Sequence, residues 1–246
     1  IRNAGMEPLG AYANAAEFKK NGGFIIREVQ GIRIAIVAFT KGMDNMALPT
    51  GSEKCVNLLY NDYSSRYVDV NTEGITDILS RVEKEKPDVT IVLLHWGSEF
   101  NDTRSTSQNK IRDLLLANGV DAIIGTHSHY VQQITFDEAT GQFVAYSLGD
   151  FFGDGERGGT NYSIILDMEI TKDYDTGVTK ITDYSYVPIY TLAENQCDGF
   201  RRVVRIEQAM IAYNTNYVDK VTDTAYAGME KAMVRIPERL TPPATE

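Results

Sequence analysis

Histidine is nearly absent from this chain: there are three in 246 residues, against 34 acidic and 24 basic side chains. Cysteine is as scarce, with only Cys55 and Cys197. Two cysteines so far apart, in no metal-type spacing, exclude a disulfide framework and a thiolate cluster. A single bridge in an exported protein and two free thiols both stay open. No stretch approaches the roughly 20 consecutive apolar residues that a membrane span needs. Extended lysine and arginine clusters are missing too, and the formal charge is −10. That argues against a nucleic-acid partner, because phosphate backbones call for a basic face. The chain opens on Ile1 and reads as starting inside a longer protein, so the absence of a signal peptide says nothing about location.

What is present is an ordinary globular core, 43% apolar and 10% aromatic. The opening residues read as a loop leading into a short helix within AYANAAEFKK. GGFIIREVQGIRIAIVAFT reads as two strands turning at Gln30-Gly31, the second nearly all apolar and so a central strand. A polar, tyrosine-bearing loop region follows, to about Asn71. TEGITDILSRVEKEKP has Ile75, Ile78, Leu79 and Val82 on one helical face, with Pro87 marking its end. DVTIVLLHW is a buried strand. STSQNKIRDLLLANG is a helix with Ser105 or Thr106 as its cap and Gly119 just past its end. VDAIIG is a short apolar strand. This alternation is that of parallel βαβ units. Hairpins then follow, turning in DEATG and DYDTG, and the region from about Arg202 to Met233 reads as helical. The proline-containing tail IPERLTPPATE reads as a strap or a frayed end. The sum is α/β: a sandwich of two mixed sheets flanked by helices, or an open doubly wound sheet with a β extension. Residues 1–200 form the main domain and 201–246 a helical extension packed on it.

All three histidines follow apolar strands. His95 closes DVTIVLLHW, and His127 and His129 lie in VDAIIGTHSHYVQ. Strand carboxyl ends are where α/β proteins place ligands, and imidazole is the commonest transition-metal ligand. Neighbouring strand tips lie roughly 5 Å apart, a spacing that suits shared metal ligation. On an extended strand, residues at i and i+2 point to opposite sides. In a loop, with Gly125 permitting unusual backbone angles, both rings can turn to one cluster. Thr126 and Ser128 are small enough to hydrogen-bond ring nitrogens or carboxylates. Glu99 and Asp150 lie near the same rim as partners that can fix an imidazole tautomer. Trp96 and Ser128 join them as supporting or substrate-side residues. Arg201, Arg202 and Arg205 are either a basic groove or the solvated start of a helix.

LLHWGSEF, then GVDAIIGTHSHYVQ, then YSLGDFF, in this order, resembles the bacterial poly-γ-glutamate capsule synthesis proteins (CapA type). These are a branch of the calcineurin-like metallophosphoesterase superfamily. The resemblance covers about Gly22 to Phe152. It implies a four-layer α/β/β/α sandwich around two divalent metal ions (Mn, Zn or Fe), with His95, His127 and His129 as ligands. Asp150 stands where the family usually has Asn. The family's earlier motifs, an acidic set and an Asn-His pair, have no match upstream of Ile25, so the fold is expected to lack its N-terminal part. The implied function is capsule biosynthesis, with metal-dependent phosphoester hydrolysis when the site is complete. The alternative is a non-catalytic accessory role in polymer synthesis or export. Implied partners are the capsule polymer or a phosphoester substrate, and a membrane-bound synthesis complex. The implied location is extracytoplasmic and membrane-tethered.

Overall fold

The main sheet carries helices on one face and meets a second sheet, with further helices, on the other, which departs from the doubly wound alternative. This is seen in a computed structural model of the chain, described for residues 1–153, 157–217 and 221–241. In chain order the elements are α1 (Ala15–Asn21), β1 (Phe24–Val29), β2 (Ile32–Thr40), α2 (Thr72–Lys84), β3 (Val89–His95), α3 (Thr106–Ala117), β4 (Ala122–Thr126), β5 (Ile134–Asp137), β6 (Gln142–Ala145), β7 (Tyr162–Lys172), β8 (Thr179–Leu192), β9 (Arg202–Arg205), α4 (Ile206–Asn214) and α5 (Asp223–Leu240). The first sheet runs β1-β2-β3-β4-β6-β5 and the second β7-β8-β9. In the first, β2, β3, β4 and β6 are parallel, with antiparallel edges at β1 and β5. The second sheet is antiparallel throughout.

Local chemistry explains the boundaries. The β1–β2 turn uses Gln30 and Gly31, both at positive φ, the backbone that tight hairpins require. Ser105 and Gln108 form a reciprocal capping box at the start of α3. The apolar stripe of α2 (Ile75, Ile78, Leu79, Val82) packs with Ile111 and Leu115 of α3 onto Val37, Val92 and Leu94. The opposite sheet face, with β7, β8, α4 and α5, encloses a second core around Phe143, Ile164, Tyr190, Met229 and Ile236.

Two expectations need correction. Arg202–Arg205 is a strand, pairing with β8, rather than the start of a helix. The last helix, α5, runs through Pro237 to Leu240, so IPERL is neither strap nor frayed end. Burial of Ile236 and Leu240 in the second core outweighs the hydrogen bond that proline forfeits. Residues 242–246 of that tail lie outside the described residues. Cys55 and Cys197 are both free thiols.

A charged latch joins the two sheets. Asp88, before β3, accepts from Arg33 N at 2.7 Å and from Lys172 Nζ, at the end of β7, at 2.9 Å. These bonds, the Arg33 amide first and Lys172 next, hold the Asp88 carboxyl below the usual carboxylate range. Stability from a depressed acid is complete above the unfolded pKa and is lost as pH falls through the folded one. Asp88→Ala is expected to cost about 1–2 kcal/mol at pH 7. In urea titrations the gap to the parent should close below about pH 4. A gap that persists at low pH would assign the loss to something other than this carboxylate.

Candidate functional site

Three parallel strands end on one rim. The register pairs Thr40 of β2 with His95 of β3, and His95 with Thr126 of β4. Side chains alternate along β3, so Val92, Leu94 and Trp96 enter the first core while Leu93 and His95 face outward. One residue past the β2 and β4 tips stand Lys41 and His127. His127 and His129 adopt φ of 96° and 62°, left-handed values that cost a residue other than glycine about 1–3 kcal/mol each. That strain brings both rings, which an extended chain would point apart, to one cleft of about 1150 Å³. Glu99, Asp150 and His95 line it with them. Met43, Phe151 and Ile165 form an apolar wall, and Arg201 also reaches the lining.

The His95 and His127 ring centroids lie 4.1 Å apart. Burial lowers the pKa of both. Lys41 adds to this at His95, and at His127 the neighbouring His95 and then Lys41 push it down to about 4. Both imidazoles are therefore neutral at pH 7 and keep a nitrogen lone pair free for a cation. His129 is held differently. Its Nδ1 lies 2.8 Å from Asp150 Oδ2, and its Nε2 lies 3.6 Å from Glu99 Oε1. The Phe100 ring stacks on it at 4.7 Å, and the Arg157 guanidinium lies 3.7 Å from the Phe100 centroid. Burial opposes charge on His129, but Asp150 and then Glu99 outweigh it and raise its pKa. Among the described residues, no group of three or more His, Cys, Asp or Glu side chains is disposed to hold a metal ion.

This arrangement has a pH signature in the metal-free chain. The unfolded chain protonates His127 near about 6.5, before the folded one does, so its contribution to stability falls as pH drops from there towards about 4. His129 acts in the opposite sense: its contribution is complete below about pH 6.5 and is lost as pH rises through its raised folded pKa. NMR of the imidazole Cε1–H protons should show one ring titrating near pH 4 and one above its ordinary range. Three rings titrating together near about 6.5 would contradict the geometry.

Several supporting roles expected from the sequence change. Trp96 is fully buried, stacked on Tyr146 at 5.5 Å, and its indole N–H donates to Tyr146 O at 2.9 Å. It is a core residue, placed there by strand alternation, and does not face substrate. Ser128 Oγ donates to Tyr130 O, and Thr126 Oγ1 to Leu94 O. Both hydroxyls hold backbone and, among the described residues, reach no ring or carboxylate. Gly125 lies inside β4 without positive φ; the unusual angles belong to the histidines after it. Of the arginines, Arg201 lines the cleft, while Arg202 pairs with Asp198. Lys41 and Phe100 join the site without having stood out in the sequence. The rule that finds His95 and His127, a polar residue just past a buried strand, also finds Lys41 in IRIAIVAFTK.

A family model described as bacterial capsule synthesis protein PGA_cap matches residues 1–154, a span that includes all three histidines and Asp150. A capsule biosynthesis protein CapA of Bacillus anthracis is 26% identical over 157 residues, covering 63% of this chain and 34% of that protein. A PGA biosynthesis protein CapA of Bacillus subtilis (strain 168) is 28% identical over 140 residues, covering 57% and 35%. The chain thus spans about a third of the length of these curated relatives. Among solved structures, a phosphatase from Mycoplasma pneumoniae aligns over 68% of this chain and 57% of its own, at 14% identity and a TM-score of 0.42.

Proposed function

Because the chain belongs to the bacterial capsule synthesis protein family PGA_cap, we propose that its histidine cleft is part of a metal-dependent hydrolase site serving capsule polymer biosynthesis. The observation that carries this reading is the His95–His127 pair, delivered by adjacent parallel strands to a ring separation of 4.1 Å. Neutral imidazoles are donors suited to Zn, Mn or Fe, so the donor chemistry fits. The set is incomplete among the described residues, so these side chains would supply a share of a dinuclear centre. His95, His127 and His129 would hold it. When bound, two such ions supply Lewis acidity and a water of lowered pKa.

The chain's own residues do the rest. Asp150 accepts the Nδ1 proton of His129, which fixes the ring's orientation with Nε2 turned towards Glu99. Phe100 stacking fixes the plane of the same ring. Met43, Phe151 and Ile165 give the cleft one apolar side. The substrate class is a phosphoester or the capsule polymer itself. The setting is the outer side of the cytoplasmic membrane, within a synthesis complex. No described helix is long and apolar enough to cross a membrane.

The incomplete donor set also favours a second reading, a non-catalytic accessory component of the polymer machine. Elemental analysis of the full-length protein separates the two. Two metal equivalents, lost in His127→Ala, together with hydrolysis of bis-p-nitrophenyl phosphate, support the hydrolase. No bound metal and no hydrolysis leave the accessory role. The present chain alone should hydrolyse this phosphodiester weakly or not at all, and robust turnover by it would refute the shared-site reading.

A further inference from the structure

We propose that the recess between the tip of β2 and the His95–His127 pair is an oxyanion-binding subsite in which Lys41 supplies the positive charge. This rests on the reading of the cleft as a substrate site, and it names the chemical group that substrate presents there.

Lys41 is half-buried where the parallel strands end. Its Nζ donates to Gly97 O at 2.8 Å and lies 4.4 Å from the Tyr67 ring centroid. An ammonium carries three N–H donors, and among the described residues only one is used. Among the described residues, no carboxylate forms an ion pair with it within 4.0 Å, though ten other ion pairs do form. The recess beside it holds about 210 Å³ and is lined by Lys41, Asp44, Tyr67, His95, Glu99 and His127. The two acids act on the lysine only through space, without a contact: both favour its charge, but Glu99 leans to His129 at 3.6 Å, and Asp44 is exposed on the rim. Keeping an unpaired cation half out of water is unfavourable unless an anion meets it. The group that fits two spare ammonium donors beside two neutral imidazoles is a compact oxyanion, a phosphoryl group or a carboxylate.

The competing account is that Lys41 only pins the Gly97 turn. Calorimetric titration of this chain with inorganic phosphate, and separately with glutarate, distinguishes the two. The parent should bind at least one anion. Lys41→Met should weaken that binding about tenfold or more, while Lys41→Arg, which keeps the charge, should stay within about threefold. Glu99→Gln, which removes a negative neighbour, should tighten it by about twofold. The anion whose binding depends on Lys41 identifies the phosphoryl or the carboxylate source. Failure of both anions to bind overturns the proposal. So does Lys41→Met that melts at a lower temperature yet binds as the parent does. Zinc titration of the full-length protein and of its Lys41→Met variant keeps the two readings apart. Anion binding that depends on Lys41 without zinc binding would retain the subsite and remove the metal reading. Zinc binding with no dependence of either anion on Lys41 would do the reverse.

Discussion

Gly125→Ala is expected to destabilise the protein by about 3–4 kcal/mol, the sum of overpacking and one broken buried hydrogen bond. A Cβ built at Gly125 falls 2.0 Å from Tyr146 O and 2.3 Å from Trp96 Nε1. Neither atom is the loose end of a flexible chain. Tyr146 O is backbone just past β6, and Trp96 Nε1 belongs to a fully buried indole that donates to that same oxygen. Tyr146 is further tied to α3, its hydroxyl bonding Asn109 and Arg112. Relief would therefore require β4 to part from β6, and β4 carries His127 and His129 at its end. Gly119→Ala is the control. That residue has φ of 79° with nothing within 4 Å of the added methyl group, so it loses only the left-handed preference, about 1 kcal/mol. Urea unfolding followed by far-ultraviolet circular dichroism measures both. Equal losses at the two glycines would show that the β4–β6 contact is not as tight as its distances imply.

Gly125 also shows where reading the sequence succeeds and where it stops. Periodicity and turn chemistry are local, so the β1–β2, β5–β6 and β7–β8 hairpins, α2, and the cap of α3 are all legible in residue order. The glycine stands out for the same reason, but residue order points only to backbone freedom. Its true cause, the passage of an indole hydrogen bond, depends on residues 50 positions apart. Trp96 and Ser128 mislead in the same way: adjacency to a histidine says little when alternation sends a neighbour into the core. β9 is four residues long and leads directly into α4, too short for its period to be separated from a helix. α5 overrides Pro237 through tertiary burial, which no local propensity encodes. For the site, the strand-then-polar pattern locates the rim and its histidines. The two left-handed residues and the stacking of Phe100 on His129 follow from tertiary packing and carry no local signature.

The largest effect on function is expected from dividing the cleft into donors and supports. If His95 and His127 are metal donors, His127→Ala should weaken zinc affinity of the full-length protein by more than about a hundredfold. That exceeds what partners behind a ligand usually contribute, about 10–100-fold. His95→Ala should match it, because the two rings share one position at 4.1 Å. Asp150→Ala should fall within the smaller range, since Asp150 acts through the orientation of the His129 ring, at 2.8 Å. Asp150→Asn keeps an acceptor for that proton and should recover most of the loss. The double variant His127→Ala/His95→Ala should be little worse than either alone, because side chains that act as one unit are not additive. Competition against a chromophoric chelator gives all five affinities on one scale. Should Asp150→Ala cost as much as His127→Ala, Asp150 would itself be a donor, and the division drawn from its bond to His129 would be wrong. Zinc affinity unchanged in both histidine variants would leave the cleft to anion binding alone and give the accessory role the stronger claim.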